Sequence, residues 1–325
     1  MTFCGKLCCK IFLFGAIFLP LPALCQLKWI NVDTAFGPLP ASVHVYKTTD
    51  SLDGKPFIAY YAEALLKDKQ LDFTVDTSRD RRLTPIKFFE RDEHALLVVN
   101  CTFFSYETNR SLNVVIRDGK LLAFNTNSIP MRGKDTFQYR HALGSALGID
   151  KKRRADVAWL LTDSSKKYAY ASEVPAAKAI KDSVLNPGFP YLKNKNELDF
   201  KKWKMHTAVG GGPVLLQAGA VKITNEEELK FTGKAINDKH PRTCMGYTGD
   251  GRLIVMAIEG RFQGIAEGAT LTQEAVLLKG LGCVEALNLD GGGSSCLLIN
   301  GKETIKPSEK GVERPVPAVF LIKTH

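Results

Sequence analysis

The sequence predicts an α+β fold: a mixed, largely antiparallel curved sheet with a few packed helices, in a single domain. Three observations carry this. Short runs of β-branched and aromatic residues recur along the chain, bounded by Gly, Asn and Asp. Helix signals are few: a Thr84-Pro85 start and a Thr270-Leu271-Thr272-Gln273 box. No long Pro- or Ser-rich linker interrupts residues 26–325. With 325 residues, 45% of them hydrophobic, the chain can bury a large core.

In order, residues 43–48, 57–65 and 71–76 read as strands, because they alternate or carry aromatic and β-branched side chains. Thr84 reads as a helix cap with Pro85 at the first helical position, and the helix runs to about residue 93. Residues 95–99 form a buried strand that delivers Asn100-Cys101-Thr102-Phe103-Phe104. A hairpin pairs 113–116 with 120–124 across Asp118-Gly119. Residues 151–206, rich in lysine and aromatics and holding Asn186-Pro187-Gly188, read as irregular, a lid or an insertion.

The core resumes at Ala208-Val209-Gly210-Gly211-Gly212-Pro213, followed by a strand over 214–217. Strands 243–247 and 253–258 flank Gly249-Asp250-Gly251. The capped helix puts Leu271, Ala275 and Leu278 on one face and stops at Gly280 and Gly282. Apolar runs at 284–289 and 296–299 follow, the second ending in an Asn300-Gly301 turn.

The N-terminus has Lys6 and Lys10, an apolar run over 11–24, and Ala23-Leu24-Cys25 as a cleavage site. Residues 1–25 therefore read as an export signal, with Gln26 first in the mature chain and a lipid-modified Cys25 as the alternative. Pro20 and Pro22 break the run, so no membrane span is expected after signal removal. The expected location is exported: periplasmic, cell-surface or extracellular. Four of the 8 Cys lie in the signal. The others (Cys101, Cys244, Cys283 and Cys296) show no C-x-x-C spacing and lie in or beside apolar runs. No metal site and no cofactor is expected.

Net charge is +10, with a pI of about 9.1, which favours anionic partners. The basic clusters at 151–154 and Lys201-Lys202 are short and lack interleaved aromatics, so no nucleic-acid partner is expected.

Between the last two apolar runs stands Asn288-Leu289-Asp290-Gly291-Gly292-Gly293-Ser294-Ser295. A carboxylate sits at a strand end beside three glycines and two hydroxyls. It is not a P-loop, for no Lys follows, nor a nucleophile elbow, for position 296 is Cys. Other expected strand ends also carry polar groups beside glycines: Asn100, Gly210 to Gly212, Arg242-Thr243 and Glu259-Gly260-Arg261. Read singly, each fits a turn or a surface position. Together they suggest strand ends converging on one edge of a sheet.

This set of segments resembles the phosphodiester glycosidase family, the family of the lysosomal enzyme that removes N-acetylglucosamine from phosphodiester-linked mannose. The resemblance runs from about 84 to 321 and rests on residues 100–104, 210–213, Pro241-Arg242-Thr243, 249–253, 259–261, 287–295 and 313–317. Where the family usually has Asp-Gly, this chain has Glu259-Gly260. The resemblance implies an exported hydrolase that cuts a sugar's anomeric C–O bond to a phosphodiester and releases free sugar. Its partner would be an anionic phosphosugar or glycan. Asp290 and Glu259 would be the catalytic acids. Arg242, Arg261 and Arg314 would bind phosphate, the amides of Gly211, Gly212, Gly291, Gly292 and Gly293 would line an anion nest, and Asn100, Ser294 and Ser295 would bond substrate. Two other readings remain: a phosphodiesterase that cuts P–O, and a non-catalytic carbohydrate-binding envelope protein.

Overall fold

A computed structural model describes residues 27–131, 138–176, 180–182, 199–233 and 237–325, besides Met1. The body of the expected signal and the Asn186-Pro187-Gly188 turn lie outside the described residues. The strands that matter here, in chain order, are β1 (Val43–Thr48), β2 (Ala59–Leu65), β3 (Leu71–Thr77), β4 (Ala95–Asn100), β5 (Val115–Arg117), β6 (Gly144–Ile149), β7 (Ala155–Leu161), β8 (Thr207–Gly210), β9 (Val214–Gln217), β10 (Arg242–Thr248), β11 (Arg252–Ile258), β12 (Cys283–Asn288), β13 (Leu297–Ile299) and β14 (Ala318–Thr324). The two helices used below are α1 (Pro85–Glu90) and α2 (Leu271–Gly280).

These strands build three curled sheets. One carries β1-β2-β11-β10-β12-β9, another β7-β6-β8-β5, and a third β13-β4-β14-β3. Every pairing among them is antiparallel, which tightens the expectation of a mixed sheet. The chain is 43% strand and 10% helix, an α+β fold in one domain.

All three sheets turn one face to a common core. Val43 and Val45 of β1, Phe73 and Val75 of β3, Trp159 of β7 and Phe320 of β14 meet there, each almost fully buried. β4 and β14 alternate between two faces: Leu97, Val99, Phe320 and Ile322 enter this core, while Val98, Val319 and Leu321 face α1 and pack with Phe88. α2 covers the opposite face of the first sheet with Leu271, Ala275 and Leu278. Its start is a full capping box, Thr270 accepting from the Gln273 amide while Gln273 accepts from the Thr270 amide.

Three sequence expectations change. α1 ends at Glu90, and the Thr84 hydroxyl caps nothing; it is buried without a partner among the described residues. The segment 151–206 is not irregular throughout, for β7 lies inside a sheet and Trp159 is 1% exposed. Its lysines had masked a strand whose apolar residues face inward. The Asp118-Gly119 turn does carry the two positive φ values of a tight hairpin, 53° and 73°.

Candidate functional site

Asp290 follows the end of β12, and its backbone is held from both sides. Its amide donates to the Cys101 carbonyl at 2.8 Å. Its carbonyl accepts from the Asn100 side-chain amide at 2.6 Å. The Asn100 side-chain oxygen accepts from the Thr243 hydroxyl at 2.9 Å and from the Cys296 amide at 3.0 Å. One buried carboxamide at the end of β4 thus ties together β10, the Asp290 loop and the approach to β13. The sequence assigned Asn100 to substrate. The structure buries it completely and engages it in three hydrogen bonds to the protein, so it braces the loop.

The three glycines after Asp290 have distinct reasons. A Cβ on Gly291 would stand 2.9 Å from the Pro241 carbonyl. Gly292 has φ 63°, and a Cβ there would stand 2.9 Å from a terminal nitrogen of Arg261. A Cβ on Gly293 would run into the Arg314 guanidinium and stand 2.7 Å from a Glu309 oxygen. The missing side chains let two guanidinium groups lie directly on the loop. The loop then closes as one turn of 3-10 helix, Gly292–Ser294.

Asp290 itself is partly exposed. Burial of its carboxyl raises the pKa from 3.8 to about 6, while the Ser294 hydroxyl, the Arg314 charge and the Gly291 amide pull it back toward ionisation. Arg314 donates to the Ser294 hydroxyl at 3.2 Å and grips Glu309 through two of its nitrogens. The same guanidinium lies 5.7 Å from the centre of the Tyr106 ring. Arg314 holds the Glu309 carboxyl below its ordinary range. Two carboxyls with oppositely displaced pKa values therefore flank one arginine, a pattern typical of acid–base sites.

Arg261 is exposed and sits at φ 67°, a left-handed conformation unusual for a residue with a side chain. Burial, with the charges of Arg242 and Arg261, lowers the pKa of His240 and favours the neutral imidazole. Arg242 lies beneath the loop rather than on it. It is 3% exposed, and it donates to the Ala269 carbonyl at 3.0 Å and the Asp238 carbonyl at 3.3 Å. Burial lowers its pKa, and the neighbouring Glu274 is pushed up to about 7 by its own burial. With two of its nitrogens bonded to protein carbonyls, Arg242 shapes the floor beneath the loop.

The second predicted acid, Glu259, is 7% exposed and accepts from the Lys306 amide at 2.8 Å. The structure thus gives it a bracing contact to the 303–309 loop. The expected nest at Gly211 and Gly212 is not free. The Gly211 amide donates to the Ser145 carbonyl at 3.0 Å and the Gly212 amide to the Asn288 carbonyl at 2.7 Å. The Gly292 amide is likewise spent on the Pro241 carbonyl at 2.8 Å. Ser294 faces Asp290, whereas the Ser295 hydroxyl is buried without a partner among the described residues.

Asp290, Ser294, Arg261 and Arg314 are thus brought together, while Asn100, Gly211, Gly212, Arg242 and Glu259 support them. Sequence reasoning missed Glu309, His240 and Tyr106. Glu309 lies in a polar loop without a motif. His240 had a faint signal, standing next to the Pro241-Arg242-Thr243 strand start. Among the described residues, no three His, Cys, Asp or Glu stand close enough to hold a metal ion. Nor is any described helix long and apolar enough to cross a membrane. Cys101, Cys244, Cys283 and Cys296 are free and buried.

The family profile for phosphodiester glycosidases matches residues 93–323, which include every residue of this cluster. The chain belongs to the phosphodiester glycosidase family. Curated relatives are distant. An uncharacterized SPbeta prophage-derived protein, YomE, of Bacillus subtilis is 38% identical over 87 residues, 27% of this chain and 13% of its own length. The mouse N-acetylglucosamine-1-phosphodiester alpha-N-acetylglucosaminidase is 27% identical over 128 residues, 39% of this chain and 23% of its own. The matches therefore span less than a quarter of either relative. Among solved structures, the catalytic domain of the zebrafish N-acetylglucosamine-1-phosphodiester alpha-N-acetylglucosaminidase, auto-inhibited by its pro-peptide, superposes with a TM-score of 0.57 at 20% identity, covering 87% of this chain and 82% of that one. A hypothetical protein from Synechocystis gives 0.58 at 15%, covering 87% and 62%. These two share the fold.

Proposed function

We propose that this protein is an exported glycosidase that hydrolyses the anomeric C–O bond of a sugar-1-phosphodiester, releasing an N-acetylglucosamine-like sugar and a phosphomonoester. The observation that carries this reading is the Asp290 carboxyl, poised near pH 6, with Arg314 beside it and Arg261 on the adjoining glycine. Family membership and the activity of the mouse relative support the same chemistry.

The transition state of such a cleavage is oxocarbenium-like, so a carboxylate on the sugar side stabilises the developing positive charge or attacks as nucleophile or base. Asp290 takes that role above about pH 6, where it is ionised. The leaving group is a phosphate whose conjugate acid is already strong, with a second pKa of about 6. It needs little help from a general acid. It does need its charge held, and arginine forks suit phosphate oxygens. Arg261 is exposed for this, and Arg314 can exchange Glu309 for the substrate. Ser294 orients the Asp290 carboxyl. The run over residues 1–25 directs export.

Hydrolysis of an N-acetylglucosaminyl phosphodiester in heavy-oxygen water tests the reading. Label in the released sugar is the expected result. Label in the phosphate would instead mean P–O cleavage, and tight binding without product would identify a carbohydrate-binding protein.

A further inference from the structure

A large cavity opens beside the Asp290 region rather than at it. It has a volume of about 550 Å³ and is lined by Asp76, Arg79, Arg81, Arg91 and Arg117, with Thr77 and Ser78. Asp76 is the last but one residue of β3. Its two carboxylate oxygens are taken by Arg91 at 2.9 Å and Arg117 at 3.2 Å. Arg79 and Arg81 are exposed, and their guanidinium groups have no hydrogen bond or ion pair to any described residue; the Arg81 backbone carbonyl accepts from the Ser78 hydroxyl at 2.5 Å. Asp80, between them, is paired outward with Arg110 at 2.6 Å and does not offset them. Four guanidinium groups and one carboxylate leave the cavity about three charges positive. Such a concentration of like charge in a concave site costs stability unless an anion fills it.

The cavity and the Asp290 site share a face of one sheet. Asp76, Val319 and Asn100 stand abreast on β3, β14 and β4. Directly opposed residues of antiparallel strands point the same way, and three strands span roughly 10 Å at about 4.8 Å per step. Asn100 is the residue that grips the Asp290 carbonyl. Arg82 follows Arg81 in sequence, and its guanidinium is 4.9 Å from the Tyr106 ring that Arg314 also approaches. A basic track therefore runs from Arg314 past Arg82 to Arg79 and Arg81.

We propose that this cavity is a second anion site, which holds the phosphate of a neighbouring unit, so that the substrate is a chain of phosphodiester-linked units rather than a single capped sugar phosphate. The inference rests on the reading of Asp290 given above. Arginine forks match phosphate oxygens two at a time, and the volume admits a polyol or sugar phosphate along with its charge. Either two diesters or one terminal phosphomonoester would balance the site.

The test uses the full chain carrying Asp290→Asn, so that ligand is not consumed. It is titrated by calorimetry with a synthetic glycerol-phosphodiester trimer capped by N-acetylglucosamine, and with the singly capped glycerol phosphate. The same titrations are run with Arg79→Ala and Arg81→Ala added. Neither guanidinium has a hydrogen-bond or ion-pair partner among the described residues, so the added changes should leave folding intact. The expected result is a loss of roughly tenfold or more in trimer affinity with little change for the monomer. Equal losses on both ligands, no loss on the trimer, or equally tight binding of heparin would overturn the second site. Turnover by the unaltered protein separates the two readings. A trimer that binds through Arg79 and Arg81 but releases no sugar retains the second site and rejects the role of Asp290. Sugar released with the same KM from trimer and monomer does the reverse.

Discussion

Two strand ends of this protein carry three consecutive glycines, and they do opposite things. After β12, Gly291, Gly292 and Gly293 clear space for the guanidinium groups of Arg261 and Arg314 beside a carboxyl. At the end of β8, Gly210, Gly211 and Gly212 clear space for the protein's own interior. A Cβ on Gly211 would stand 2.9 Å from the Leu289 side chain, and one on Gly212 would collide with Glu228 and Lys230. Glu228 is 3% exposed and accepts from the Ser145 hydroxyl at 2.6 Å, the Thr224 hydroxyl at 2.6 Å, the Val214 amide at 2.9 Å and the Trp159 indole at 3.1 Å. What fills the missing side chain decides whether a glycine run serves chemistry or packing.

The sharpest way to break this contrast is at the two acids. Asp290→Asn should fold normally and lose about 10²-fold or more in kcat, read as sugar release. Glu228→Ala should lose little per folded molecule but roughly 3–5 kcal/mol of stability, read by denaturant unfolding, because four donors and the nearby Lys230 charge lose their acceptor. Substantial turnover by Asp290→Asn, or an inactive but stable Glu228→Ala, would reverse the assignment.

The glycines themselves sharpen it. Gly211→Ala presses on backbone and should destabilise by about 1–3 kcal/mol or more. Gly293→Ala presses on the end of an arginine side chain, which can move. It should cost little stability and roughly tenfold in kcat/KM on a phosphodiester, with less effect on an uncharged glycoside.

The smallest expected effect is on pH. The folded pKa of Asp290 lies above its ordinary 3.8, at about 6, so the folded state favours the protonated form. The cost of its burial is thus fully present above pH 6 and relieved as pH falls through 6 toward 4. Asp290→Asn should raise Tm at pH 8 and leave it nearly unchanged at pH 4. Activity that needs the carboxylate should climb as pH rises through about 6; a rate flat across that range would assign the essential charge elsewhere.

Much of this was legible in the chain. Alternation and β-branched or aromatic content placed β1, β2 and β3, and the Thr270 box placed the start of α2. The Asp290 motif stood out because three glycines beside an acid are costly without a purpose. What the sequence could not distinguish was a polar strand end that faces substrate from one that faces the protein. Asn100 and Arg242 look like ligands in one dimension; only the register of β4 against β14 and of β10 against β12 turns their hydrogen bonds inward. β7 was hidden for a different reason. Its inward residues are flanked by lysine-rich stretches that dominate the local composition.

The Asn100 clamp has a consequence for biosynthesis. It draws partners from positions 243, 290 and 296, and Arg314 comes later still. Contacts this far apart in sequence close late. The Asp290 loop of a nascent chain therefore stays unbraced until the final strands have emerged, and under the proposed function sugar release would report completed assembly of the polypeptide.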